Sequence, residues 1–145
     1  MSTDRFTYSV IASLLHDPAA VNDLTAPIRS LMDDIGGDRT LSDPATPSRQ
    51  PLPHLYLVAT GGTEHVLLDD VEHRRRFSNG EPVMLIAHGA HNSLPAAMET
   101  LAAVQQGGNR GRIVFLTGDD SADRYALDEA VTDLEAIIRM RSTRL

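Results

Sequence analysis

The sequence has no cysteine and no tryptophan, and aromatic residues make up only 4% of its 145 residues. The absence of cysteine excludes a disulfide framework, a thiolate metal site and a cysteine nucleophile. No apolar run approaches the roughly 20 residues of a membrane-spanning helix, and the first residues lack the basic stretch and apolar segment of a secretory signal. We therefore expect a cytoplasmic protein that makes no contact with a membrane.

Basic residues are also scarce in this chain. Its 13 Lys and Arg stand against 20 Asp and Glu, which gives a net charge of −7. An acidic surface repels the phosphate backbone of DNA and RNA. The charge balance therefore argues against nucleic acid as a partner.

Apolar residues make up 41% of the chain, which is enough for one core in a domain of this size. They are concentrated in runs at 55–59, 83–87 and 113–116, with a weaker run at 8–15. These runs are unbroken rather than alternating, which is typical of parallel strands covered on both faces. The sequence thus favours about four buried strands.

Helical patterns lie between these runs. Asp17 and Pro18 form a cap and first turn for a helix that Pro27 is expected to kink or split. Further helices are predicted after residue 64, over 93–106 and at the C-terminus. The order predicts a single α/β domain over residues 1–145, a three-layer Rossmann-like (flavodoxin-like) parallel sheet flanked by helices. A polar, proline-rich stretch at about 37–53 is predicted to be a flexible loop.

Ligands of open parallel sheets bind beyond the carboxyl ends of the strands. Four loops of this chain qualify, at 16–17, 60–64, 88–93 and 117–121. The second has paired glycines, which allow close approach of the backbone to a ligand, and two threonine hydroxyls. Its predicted ligand-binding residues are Thr60, Gly61, Gly62 and Thr63. The alternative interpretation is a plain turn capped by Thr63.

The loop at 88–93 places two imidazoles, an amide and a hydroxyl beside a helix start. Asn92 and Ser93 are predicted to bind polar hydroxyl groups, and the alternative is that one of them is the N-cap. Acid/base chemistry would fall to Glu64, His88 and His91. The loop has no carboxylate at metal-ligand spacing, so no metal site is predicted.

Two segments resemble a known family. Residues 55–64 end in a Gly-Thr-Glu turn, and residues 82–99 contain an Asn-Ser-Leu-x-Ala-x-x-Glu helix start. Together they resemble the N-terminal, Rossmann-like part of L-fucose/L-arabinose isomerase-like proteins, over about residues 54–117.

The resemblance implies a role in aldose–ketose isomerisation, an intramolecular oxidoreduction. Enzymes of this family use a divalent metal, Mn, held by carboxylates and histidine of later domains, whereas this chain ends just after its fourth predicted helix. The resemblance therefore implies a stand-alone or truncated N-terminal domain that recognises sugars or packs subunits together. It implies no cofactor in this chain, and a metal only where a further catalytic domain exists.

Three hypotheses for function follow. The first is a sugar-isomerase-related domain whose two loops bind a small polar or sugar ligand. The second is a small stand-alone enzyme that uses His88 or His91 as general base and Glu64 as acid. The third is an interaction module that forms a homo-oligomer.

Overall fold

The structure, a computed structural model, describes residues 4–39, 52–76 and 80–142. Strands and helices alternate along the chain in the order β1 (Phe6–Ile11), α1 (Pro18–Asp34), β2 (Gly37–Arg39), β3 (His54–Val58), α2 (Glu64–Arg75), β4 (Val83–Ala87), α3 (Ser93–Gln106), β5 (Gly111–Phe115) and α4 (Asp120–Ser142). None of the helices in these ranges combines the length and the apolar content that crossing a membrane requires.

All strand pairs are parallel, and the strands lie in the order β2-β1-β3-β4-β5. This is the flavodoxin-like order, in which the chain moves outward from β1 in one direction and then returns to build the sheet in the other. Because parallel crossovers are right-handed, the change of direction puts α1 and α4 on one face and α2 and α3 on the other. The predicted three-layer α/β fold is confirmed.

The sheet has five strands rather than about four. The additional strand, β2, lies at the start of the stretch at about 37–53 that was predicted to be a loop, and it pairs with β1. A three-residue edge strand without an apolar run leaves no pattern in the sequence. Gly37 permits the pairing, because a Cβ there would lie 2.6 Å from the Phe6 ring. Residues 40–51 lie outside the described residues, so the rest of the loop prediction is untested.

The first strand and first helix also differ from their predicted forms. β1 covers residues 6–11 rather than 8–15, and Leu14 and Leu15 are 97% and 95% exposed in the following loop. Helix α1 continues through Pro27 without a break. Burial of Leu31 and Met32 in the core holds the second half of the helix in place despite the missing N–H donor.

The core has two halves, one on each face of the sheet. Leu55 and Leu57 of β3 pack beneath α1 and α4, whereas Tyr56 and Val58 pack beneath α2 and α3. Because successive side chains of a strand point to opposite faces, burial on both sides requires an unbroken apolar run. Each such side chain contributes roughly 1.5–3 kcal/mol through burial.

A buried histidine lies at the amino end of β3. The ring nitrogens of His54 lie 2.7 Å from the Thr7 hydroxyl and 3.0 Å from the Ser9 hydroxyl. Its ring also meets Tyr56 edge-on, with 4.8 Å between ring centroids. Burial, with a smaller effect of the Arg74 charge, lowers the pKa of His54 from its ordinary value of 6.5 to about 3. The imidazole is therefore neutral inside the fold.

This burial makes the free energy of unfolding depend on pH. The unfolded chain binds a proton at His54 below about pH 6.5, whereas the folded chain does so only near pH 3. The contribution of neutral His54 to the free energy of unfolding is thus fully present above pH 6.5. It is lost as the pH falls towards 3, by up to about 1.4 kcal/mol per pH unit. The free energy of unfolding, measured by urea denaturation between pH 5.0 and 7.0, should depend less steeply on pH in His54→Gln than in the unmodified chain. The exposed His65→Gln is the control, and equal slopes for all three proteins would contradict the assignment.

Candidate functional site

The two loops predicted to carry the site follow β3 and β4, which are neighbours in the sheet. We call residues 60–64 the glycine loop and residues 88–93 the histidine loop. The Gly61 N–H donates a hydrogen bond of 2.8 Å to the His91 carbonyl. A Cβ on Gly61 would lie 2.8 Å from the Asn92 Cβ, so the contact requires glycine. The loops therefore form one continuous surface at the carboxyl edge.

Both threonines of the glycine loop are fully buried. The Thr60 hydroxyl accepts a hydrogen bond of 2.9 Å from the Ser13 N–H and donates one of 3.2 Å to the Gly61 carbonyl. The Thr63 hydroxyl donates to the Thr60 carbonyl at 3.0 Å and does not cap α2. The hydroxyls of Thr60 and Thr63, both predicted to bind ligand, therefore form hydrogen bonds within the fold, and Gly62 is exposed at the tip of the turn.

His88 and Ser93 fasten the end of β4 to the end of β3. The Ser93 hydroxyl donates to the Val58 carbonyl at 2.5 Å and accepts from the His88 N–H at 3.0 Å. The His88 Nε2 lies 2.8 Å from the Ala59 carbonyl, and its Nδ1 accepts from the Ala90 N–H at 3.2 Å. A carbonyl only accepts and an amide only donates, so the ring carries its proton on Nε2. We call this arrangement the Ser93–His88 clip.

The hydrogen bonds of the clip restrict the chemistry that His88 and Ser93, both predicted site residues, can perform. Both nitrogens of the His88 ring are engaged with backbone groups, and the side chain is 8% exposed. A general base needs a nitrogen within reach of the substrate proton. The geometry therefore favours a positioning role for His88, and for Ser93, which is completely buried.

His91 and Asn92 face the opposite way, towards solvent. Both have left-handed backbone conformations, with φ of 52° and 60°. This region is uncommon for residues other than glycine, and such conformations cluster at functional sites. The His91 ring meets His16 of the β1–α1 loop edge-on, with 6.3 Å between ring centroids. Asn92 occupies the N-cap position of α3 without a side-chain capping hydrogen bond.

Glu64 is the first residue of α2 and is half-buried. Within the described part of the chain, neither its carboxylate nor the side-chain amide of Asn92 has a hydrogen-bond partner. The polar side chains that the glycine and histidine loops offer to a ligand are therefore Glu64, His91 and Asn92, with His16 nearby. The sequence placed His16 after the first strand, but its spacing could not reveal the contact with His91.

The described residues do not form a metal centre at this edge or elsewhere. Over 4–39, 52–76 and 80–142, no three His, Asp or Glu side chains come together in a way that could hold a metal ion. We therefore assign no metal ligands among them.

Comparison of this chain with protein-family models, with curated proteins and with solved structures gave no match.

The close contact between the two loops can be tested with Gly61→Ala. The added methyl group would meet Asn92 at 2.8 Å, so the loops must separate or strain. We expect a loss of about 1–3 kcal/mol in the free energy of unfolding, measured by urea denaturation.

Gly107→Ala is the matched control for this substitution. The nearest atoms to a Cβ at Gly107 lie 3.5 Å away and its φ is −78°, so alanine should be neutral or stabilise slightly. An equal effect of the two substitutions would contradict the proposed contact.

Proposed function

We propose that the joined glycine and histidine loops bind a small polyhydroxylated ligand of the sugar class, and that the chain is a recognition domain related to L-fucose/L-arabinose isomerases. One observation carries this proposal. The Gly61 N–H to His91 carbonyl hydrogen bond joins the loops, while two consecutive left-handed residues turn the His91 and Asn92 side chains outward.

Some polar residues of the two loops are buried and others face outward, and this division supports a binding surface. Thr60, Thr63, His88 and Ser93 are buried and have hydrogen-bond partners within the fold, so they hold the loops in shape. A rigid scaffold reduces the ordering that ligand binding would otherwise require. The outward residues are then presented in a fixed arrangement.

The chemistry of the outward groups suits sugar hydroxyls. A hydroxyl both donates and accepts hydrogen bonds, and recognising it requires both kinds of partner. Glu64 supplies carboxylate acceptors, Asn92 supplies an acceptor and two donors, and His91 supplies a ring that can do either. Any acid/base step at this edge would fall to His91 and Glu64, because the His88 ring is engaged with the backbone.

The location supports the proposal as well. Carboxyl ends of parallel strands near the reversal of strand order are where ligands of this fold class bind, and here that reversal lies between β1 and β3. The segments 55–64 and 82–99, which resemble the isomerase-like proteins, contain both loops.

Thermal denaturation with L-fucose, L-arabinose and the corresponding alditols tests this function. We expect at least one sugar to raise the melting temperature, and to raise it further at higher sugar concentration, because a ligand that binds only the folded chain stabilises it. Asn92→Ala should weaken the apparent affinity by roughly fivefold, because one neutral hydrogen bond contributes about 1 kcal/mol. Glu64→Gln should weaken it by at least as much, since it removes a charged acceptor.

Matched controls are available on the same helices. Glu72→Gln lies farther along α2 and Gln106→Ala at the end of α3, and both positions are exposed. Both control variants should bind sugar as the unmodified chain does, and they and Glu64→Gln should keep its melting temperature without sugar to within about 2 °C. Asn92→Ala should lower that temperature by a few degrees, because alanine is strained at the left-handed φ of 60°, so its sugar-dependent shift is measured from its own starting value. The proposal fails if no sugar shifts the melting temperature, or if Asn92→Ala and Glu64→Gln keep the full shift.

A further inference from the structure

A cleft opens on the other side of the histidine loop, on the face of the sheet covered by α1 and α4. It lies between α1, the ends of β4 and β5, and the start of α4, and its volume is about 330 Å³. Clefts that bind small molecules begin at about 300 Å³ and combine mostly apolar walls with a few polar groups. Gly89 and Ala90 of the histidine loop line it, whereas the next two residues along the chain, His91 and Asn92, do not.

The floor and one wall of this cleft are apolar. Ile28 and Leu31 of α1 face it, and Phe115 and Leu116 line it from the end of β5. Phe115 is 42% exposed, which is high for a phenylalanine. Phe115 and the half-buried Ile28 therefore offer apolar surface to solvent, whereas Leu31 and Leu116 are buried beneath them.

Helix α1 has a proline in its interior where it lines the cleft. Pro27 lies inside the helix and lines the cleft. A proline there has no N–H, so the Asp23 carbonyl four residues earlier has no helical donor from this position. Natural sequences keep such unfavourable choices mostly at functional sites.

The far end of the cleft is acidic. The Asp123 carboxylate is 6% exposed and accepts hydrogen bonds from the Thr117 and Gly118 amides at 2.8 and 2.9 Å. The Asp120 side chain is 77% exposed and lies 3.7 Å from Arg124. No lysine or arginine is among the described residues that line the cleft, and both nitrogens of the His88 ring are engaged. Arg124 is shared between Asp120 and Asp34, so the carboxylates here outnumber the one guanidinium and outweigh the positive N-terminal end of α4. This end of the cleft therefore favours a cation over an anion.

We propose that this cleft is a second binding site, for a small organic cation that joins an ammonium group to a compact apolar body. The apolar body would pack on Ile28, Leu31 and Phe115, and the ammonium group would face Asp120, with Asp123 behind it. Shape and charge thus select the same ligand class. We call the outward residues Glu64, His91 and Asn92 the proposed sugar-binding edge. The cleft uses different side chains and does not depend on the function proposed for that edge.

Three probes of nearly equal size test the proposal: benzylamine, benzyl alcohol and benzoate. Titration followed by NMR chemical shifts of Gly89, Ala90 and Leu116 should show binding of protonated benzylamine at pH 7. Benzyl alcohol should bind roughly fivefold more weakly, because it lacks the ammonium group and an exposed ion pair strengthens binding by no more than about that factor. Benzoate should bind more weakly still.

Variants separate the charge from the apolar floor. Asp120→Asn should remove the preference for benzylamine over benzyl alcohol, whereas Glu129→Gln, an equal change of charge on an exposed part of α4, should keep it. Ile28→Lys should prevent binding of both probes. Asn92→Ala should bind benzylamine as the unmodified chain does, which distinguishes this site from the sugar-binding edge.

Three results would overturn the proposal. The first is benzoate binding as tightly as benzylamine, and the second is Asp120→Asn leaving the preference unchanged. The third is a dimer in sedimentation velocity that dissociates in Ile28→Lys, since the cleft would then be covered by a second copy of the chain.

Discussion

Burial of β3 on both faces is the constraint on which the rest of this fold depends. With β1 on one side and β4 on the other, β3 has no free edge, and helices cover it above and below. A strand in this position needs side chains that can be buried along its whole length. After His54, whose ring bonds to the Thr7 and Ser9 hydroxyls, Leu55 and Leu57 on one face alternate with Tyr56 and Val58 on the other. The two helical layers and the reversal of strand order follow from filling both faces.

Because β3 lies in the middle of the sheet, backbone carbonyls at its end are buried, and the Ser93–His88 clip provides their hydrogen-bond donors. Where the strand ends, the Val58 and Ala59 carbonyls enter a buried region, and buried carbonyls require donors. The Ser93 hydroxyl and the His88 ring supply them from the next loop. Residues that look reactive in the sequence are thus used to satisfy the backbone, and this fixes the loop that presents His91 and Asn92.

Two surfaces of different chemistry then meet at the histidine loop. The sugar-binding edge that we propose offers acceptors and donors on exposed side chains, whereas the cleft beneath α1 offers an apolar floor and an acidic end. Phe115 illustrates the limit of sequence patterns here. It belongs to a buried run in the sequence, but it ends an edge strand, so the sheet covers it on one side only and part of its ring remains accessible.

The sequence by itself determined the α/β class, the bounds of β4 and α3, and the location of two polar loops after neighbouring strands, because periodicity and caps act over a few residues. Only the tertiary structure decided that β2 pairs with β1, where the strand order reverses, and which loop side chains face inward. Ser93 and Asn92 are adjacent in the chain, but only one meets the end of β3. That difference depends on Val58, which lies 35 residues away from Ser93 in the chain and which no local pattern encodes.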